Sequence, residues 1–374
     1  MPVNIDLADL SNTCLLVTVL LYALAMLAYA CDFAFGKQRL MAAVASDAVP
    51  ELVGVGAVAD AAGSGAVITA GRGTGAGAGD ATGDLAPPAG MAPPAGMAPP
   101  AEMAPPAGLT GPPQAEGRWP TGFWLRTAFG LTCIGLVVHL SAILTRGLAE
   151  HRVPWGNMYE FISAICCMAV IVLVAAAVRF RAYYIGLFVL VPVVFALALD
   201  VTVVYTAAGP VVPALQSYWI AIHVTAMIVA SGLYIVGAVV TVMYLVAERS
   251  ERRTAAGLPS KTGGIVMHLP KPVVLDRLSY RSILFAFPVW TFGIMAGAIW
   301  ADSAWGRYWG WDPKETWSFI TWVVYACFLH ARATAGWRGR RAAYFQLAGF
   351  ACLMFNLVGV NLFITGLHSY AGLG

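Results

Sequence analysis

Trp305-Gly306-Arg307-Tyr308-Trp309-Gly310-Trp311-Asp312-Pro313-Lys314-Glu315-Thr316-Trp317 puts four indoles, a tyrosine and two glycines into one short stretch between two long apolar runs. A broad aromatic surface is thereby held at the edge of a membrane. The stretch ends with the start signals of a helix: Asp312 as cap, Pro313 at the first helical position, and Glu315 to close a capping box. An aromatic belt at headgroup depth scatters its rings. Here they are packed into one glycine-spaced turn, which a belt does not account for.

Working outward, 59% of the 374 residues are hydrophobic and 11% charged, and the mean hydropathy is +0.74, well outside the range of a soluble domain. Eight runs approach the length of about 20 apolar residues that a bilayer core requires: 10–35, 122–145, 159–178, 183–207, 218–246, 282–300, 316–335 and 342–367. The predicted fold is an all-α polytopic membrane protein of about eight transmembrane helices. An N-terminus outside leaves only Arg146, Arg152, Arg307 and Lys314, of 22 lysines and arginines, on the outer side. By the positive-inside rule both termini and the tryptophan turn are then extracytoplasmic, in the cytoplasmic (inner) membrane. The first run has no basic leader or small-residue cleavage site and is read as a retained helix. The net charge of +3, spread over inner loops, suits anionic lipid of the bilayer and gives no case for nucleic acid.

Three regions follow: a first helix in 1–35, a linker over 36–118, and a seven-helix domain over 119–374. The linker is rich in Ala, Gly and Pro and carries repeats of Ala-Pro-Pro-Ala-Gly-Met from Ala86 onward. Its composition predicts a disordered cytoplasmic tether with polyproline II character. All seven cysteines fall in apolar runs, with neither C-x-x-C nor C-x-x-C-H. The chain is thus neither a thioredoxin-like reductant nor a covalent haem carrier itself.

Histidines and intramembrane charges supply the candidate chemistry. His223 lies about 9 Å beyond Ser217 at helical rise, in the outer third of its helix, and His368 lies at the outer end of the last run. Flanking the tryptophan turn at similar depth, they are the expected axial ligands of a haem held against Trp305, Trp309, Trp311 and Trp317. His330 falls roughly 21 Å below the outer end of its helix and cannot reach that site. His139, His151 and Asp200 are weaker candidates; Arg146 and Arg152 are possible propionate partners, and His268 is read as a surface residue. Asp312 and Glu315 are read as holding the shape of the turn rather than transferring protons.

The order Trp-Gly-x-x-Trp-x-Trp-Asp-Pro-Lys-Glu, from Trp305 to Glu315, resembles the WWD signature of haem-handling proteins of cytochrome c maturation, most nearly the CcsA (ResC) family. Pro154-Trp155-Gly156-Asn157-Met158-Tyr159-Glu160 resembles that family's outer loop, and Gly366-Leu367-His368-Ser369-Tyr370 its C-terminal end. The resemblance implies non-covalent haem b as substrate, with Asp312 in the haem-binding turn. It implies His223 and His368 as outer ligands, and His330 as an intramembrane ligand whose second ligand comes from a CcsB (ResB) type partner. The activity it implies is that of a cytochrome c synthase, which joins the haem vinyl groups to the CxxCH segment of an apocytochrome c. A haem-delivery protein without ligation activity and a b-type electron-transfer subunit are the alternatives within haem chemistry. A solute transporter would call for repeats or broken helices that the sequence does not display.

Overall fold

A computed structural model describes residues 3–47, 120, 122–258, 266 and 269–368. The described residues are helical: α1 Ile5–Asp47, α2 Phe123–Glu150, α3 Met158–Phe180, α4 Gly186–Thr202, α5 Tyr218–Ala255, α6 Pro272–Trp305, α7 Pro313–Thr334 and α8 Arg340–Met354, which passes through a π-turn, Phe355–Gly359, into α9 Val360–Phe363. Short 3-10 turns, Tyr183–Ile185 and Pro213–Leu215, lead into α4 and toward α5.

Seven helical segments among the described residues are long and apolar enough to cross a membrane: Ile5–Phe35, Phe123–Glu150, Met158–Phe180, Tyr183–Thr202, Tyr218–Ala255, Pro272–Trp305 and Arg340–Phe363. The chain is therefore a multi-pass all-α membrane protein. The eighth expected span, 316–335, forms the 22-residue helix α7, but is not among these seven. Lys314, Glu315 and Arg332 at its ends and the polar residues between them dilute its apolar character.

Two further boundaries differ from the sequence reading. Helix α1 continues to Asp47, so 36–47, assigned to the linker, are helical; Lys37, Gln38, Arg39, Leu40 and Met41 are good helix formers. The remainder of the linker, with its Pro-Pro repeats, lies outside the described residues, as do His268, Ser369 and Tyr370. Helix α6 runs five residues past Trp300, so Trp305 closes the helix rather than opening the loop. Gly306 ends it with φ 70°, its N–H returning to the Asp302 carbonyl at 2.9 Å.

Helix α5 is the axis of the described bundle. One of its faces, through Val236, Val240, Met243 and Tyr244, joins a core with α1–α4; another, through Met227, Ala230 and Tyr234, joins one with α6–α8. Small residues on the facing helices, Ala226 and Ala230 on α5 and Gly293, Ala296 and Gly297 on α6, let the two backbones approach closely. That close seam carries the site.

Candidate functional site

A cavity of about 160 Å³ opens where the turn-bearing ends of α3, α5, α6 and α7 meet the π-turn. On α5 its wall is Ile220, His223, Val224, Met227 and Ser231, spaced as one helical face. On α6 it is Trp290, Ile294, Gly297, Trp300, Ala301 and Trp305. Trp309 from the loop, Lys314 and Glu315 from α7, Trp155 and Met158 from the α2–α3 side, and His368 complete it. From Ile220 to Ser231 the α5 wall runs roughly 16 Å, so the cavity reaches well below the turn.

His223 and His368, which are 145 positions apart in the chain, line this one cavity. Each imidazole is tied by Nδ1. His223 donates to the Gly293 carbonyl at 2.7 Å, and His368 to Asp312 Oδ2 at 2.8 Å. With Nδ1 committed on both rings, Nε2 is the atom by which each would meet a metal, the arrangement that fixes tautomer and orientation in metal-bound histidines. Trp300 packs against both: its ring lies 6.1 Å from His223 at 10° and 5.7 Å from His368 at 62°. Trp305 packs on both Trp300, at 4.7 Å, and His368, at 5.0 Å.

Two glycines make these seats possible. A Cβ at Gly297 would come within 2.6 Å of His223 Nδ1, and one at Gly366 within 2.6 Å of Asp312 Oδ1. Asp312 also accepts from the Leu367 N–H at 2.7 Å, so the C-terminal turn is pinned to the tryptophan loop at two points. Burial pushes the Asp312 carboxyl upward, but His368 and the Leu367 amide outweigh it and hold it below the ordinary carboxylate range. The expected capping box is present: Asp312 accepts from the α7 backbone, and Glu315 Oε2 accepts from the Asp312 and Gly310 N–H groups.

The four indoles expected around a ligand divide. Trp305 and Trp309 line the cavity; Trp311 and Trp317 do not. Trp311 adopts φ 58°, a left-handed turn that directs its ring outward, where it is 66% exposed and meets Trp309 and Phe319. Trp317 sits a turn along α7 against Phe355, 4.2 Å between centroids. In their places the structure supplies Trp155, Trp290 and Trp300. Trp155 was visible in the outer-loop motif; the other two lie in an apolar run whose inward face the sequence does not mark.

The remaining candidates lie elsewhere. His330 is exposed on α7, away from the cavity lining. His139 is fully buried and bridges helices, between Tyr22 Oη at 3.4 Å and Ser163 Oγ at 3.1 Å. His151 ends α2 in a left-handed turn. Asp200 is buried on α4 and is not among the residues that line the cavity. Arg146 and Arg152, offered as propionate partners, are committed to Glu150 and Glu160 at 2.7–3.2 Å and line no part of this cavity. Glu160 also accepts from the Gly156 N–H and Asn157 Nδ2, so this ion cluster folds the loop that presents Trp155.

Residues 155–368 match the cytochrome C assembly protein family, a span that begins at Trp155 and ends at His368. The chain is 33% identical over 309 residues to a cytochrome c biogenesis protein CcsA of Gloeobacter violaceus, covering 67% of this chain and 91% of that one. A CcsA of Guillardia theta is 35% identical over 255 residues, 65% of this chain and 84% of its own length. One of Chlamydomonas reinhardtii reaches 44% over 163 residues, 44% and 43% of the respective chains. The protein belongs to the cytochrome c assembly family, as a multi-pass membrane protein of cytochrome c biogenesis.

Proposed function

We propose that this chain binds haem b as substrate between His223 and His368 and presents its vinyl groups to the CxxCH segment of an apocytochrome c. The observation that carries the reading is the convergence of two distant histidines on one aromatic cavity, each with Nδ1 tied to an acceptor. Haem needs an apolar slot and axial nitrogens, and its iron–imidazole bonds fix the ring in place. Trp305, Trp309, Trp300, Trp290 and Trp155 supply flat apolar walls. Lys314, donating to the Asn356 carbonyl at 3.1 Å on the same wall, is a cation within reach of a carboxylate-bearing ligand.

The main contribution of the histidines and indoles to attachment is orientation. Holding the ring by two axial bonds and stacked indoles turns a bimolecular encounter into an addition between positioned groups. His330 belongs to a second station. Its imidazole is exposed on the apolar surface of α7, open to a second ligand from a CcsB-type partner subunit. The active turn faces outward across the cytoplasmic membrane, as the distribution of basic residues favours.

The test is covalent attachment. Produced together with a reporter apocytochrome carrying one CxxCH segment, the wild-type chain and its partner are expected to yield reporter that keeps its haem after denaturation. His223→Ala and His368→Ala are each expected to yield little or none. Undiminished attachment in both variants would remove the ligand assignment.

A further inference from the structure

The two oxygens of Glu315 have different surroundings. Oε2 is held by the Gly310 N–H at 2.8 Å and the Asp312 N–H at 3.1 Å. Oε1 is buried and has no hydrogen-bond partner among the described residues, while the residue itself, 8% exposed, lines the cavity shared by His223 and His368. The capping box explains only the first oxygen. A buried oxygen left without a donor is destabilising, more so on a charged group, so a donor brought by another molecule is what it lacks. Trp155 Nε1, Ser231 Oγ and Asn356 Oδ1 line the same cavity and also have no partner. Among these four groups Glu315 is the one carboxylate, hence the one fitted to take up and return a proton.

We propose that Glu315 Oε1 is the acceptor for the proton of the attacking cysteine thiol during thioether formation, and the donor that returns it to the vinyl group. This rests on the haem-attachment reading. In the step, the S–H bond breaks and its proton passes to Oε1; sulfur bonds to the inner vinyl carbon as the C=C π bond opens. The terminal carbon then takes the proton from Oε1. One S–C and one C–H bond replace one S–H and one C=C π bond, so no electrons are gained or lost and no co-reactant is consumed. The backbone donors on Oε2 fix the carboxylate while Oε1 works. Arg307, folded against Gly310, and Lys314 and Asp312 beside Glu315 are the charged groups of the same turn.

Glu315→Gln isolates this role, because glutamine also closes a capping box but does not accept a proton. The full chain would be produced in its native membrane with its partner and a CxxCH reporter, and bound haem and the initial rate of covalent attachment measured together. A haem spectrum like wild type with attachment slowed about 10²–10⁴-fold is expected. Glu315→Asp, a shorter carboxylate that still accepts a proton, is expected to fall between the two. Attachment by Glu315→Gln within threefold of wild type, or as fast as by Glu315→Asp, would overturn the assignment. So would loss of haem from the Gln variant, which would make Glu315 a haem-holding residue. Wild-type membranes lacking any haem signal dependent on His223 and His368 would instead fail the attachment reading itself.

Discussion

At the residue scale, the seats of the two histidines are more informative than the histidines themselves. His368 is aimed by Asp312, and His223 by the Gly293 carbonyl and the bare Cα of Gly297. Removing a group that orients a metal-bound histidine weakens binding about 10–100-fold. Asp312→Ala is expected to lower haem affinity by that factor, read by haem titration of the purified protein. Gly297→Ala is expected to do the same by pressing a methyl group on His223, with the helix otherwise intact. If both variants titrate like wild type, the orienting contacts have no part in ligation. What the sequence revealed at this scale was local chemistry. Asp312 and Glu315 both cap as their positions implied, because capping is decided within a few residues. That Asp312 would also hold His368, 56 positions on, is a tertiary contact with no local signature.

At the element scale, the outer loop is folded by charge rather than by apolar burial. Arg146, Glu150, Arg152 and Glu160 bring two cations and two anions together with little solvent contact. Taking one partner from such a cluster strands a buried charge, at a cost on the order of 3–5 kcal/mol. Glu160→Ala is therefore expected to lower the thermal midpoint in detergent clearly and to disorder the wall around Trp155. A melting curve superimposable on wild type would contradict this. The sequence placed these arginines near the site but assigned them to the ligand, because Glu150 and Glu160 lie on different helices and their convergence depends on the loop's path. Helix faces were equally hidden. Periodicity is uninformative in a run apolar all round, so Trp290 and Trp300 could not be told from lipid-facing residues. The π-turn at Phe355–Gly359, which brings Asn356 and Leu357 to the cavity, had no distinguishing residue either.

On the scale of the whole molecule, α5 joins two cores and α6 lies along its length, so the helix that leads into the tryptophan turn packs on the most enclosed of the described membrane-spanning helices. Hydropathy made the membrane class and most spans plain from the sequence. It overstated α7, whose two ends bear charge and whose exposed face bears His330. The two haem stations proposed above should be separable by mutation. His330→Ala is expected to leave the haem bound at His223 and His368 unchanged in the isolated chain and to remove only a signal that depends on the partner subunit. Loss of haem from the isolated chain on that substitution would merge the two stations into one.

The claim on which the rest depends is the pairing of His223 with His368 on one iron. Electron paramagnetic resonance of the oxidised, haem-loaded protein tests it most directly. A low-spin bis-imidazole spectrum is expected for wild type, changing to a high-spin, five-coordinate signal in both His223→Ala and His368→Ala. A low-spin spectrum that survives either substitution unchanged would contradict the account.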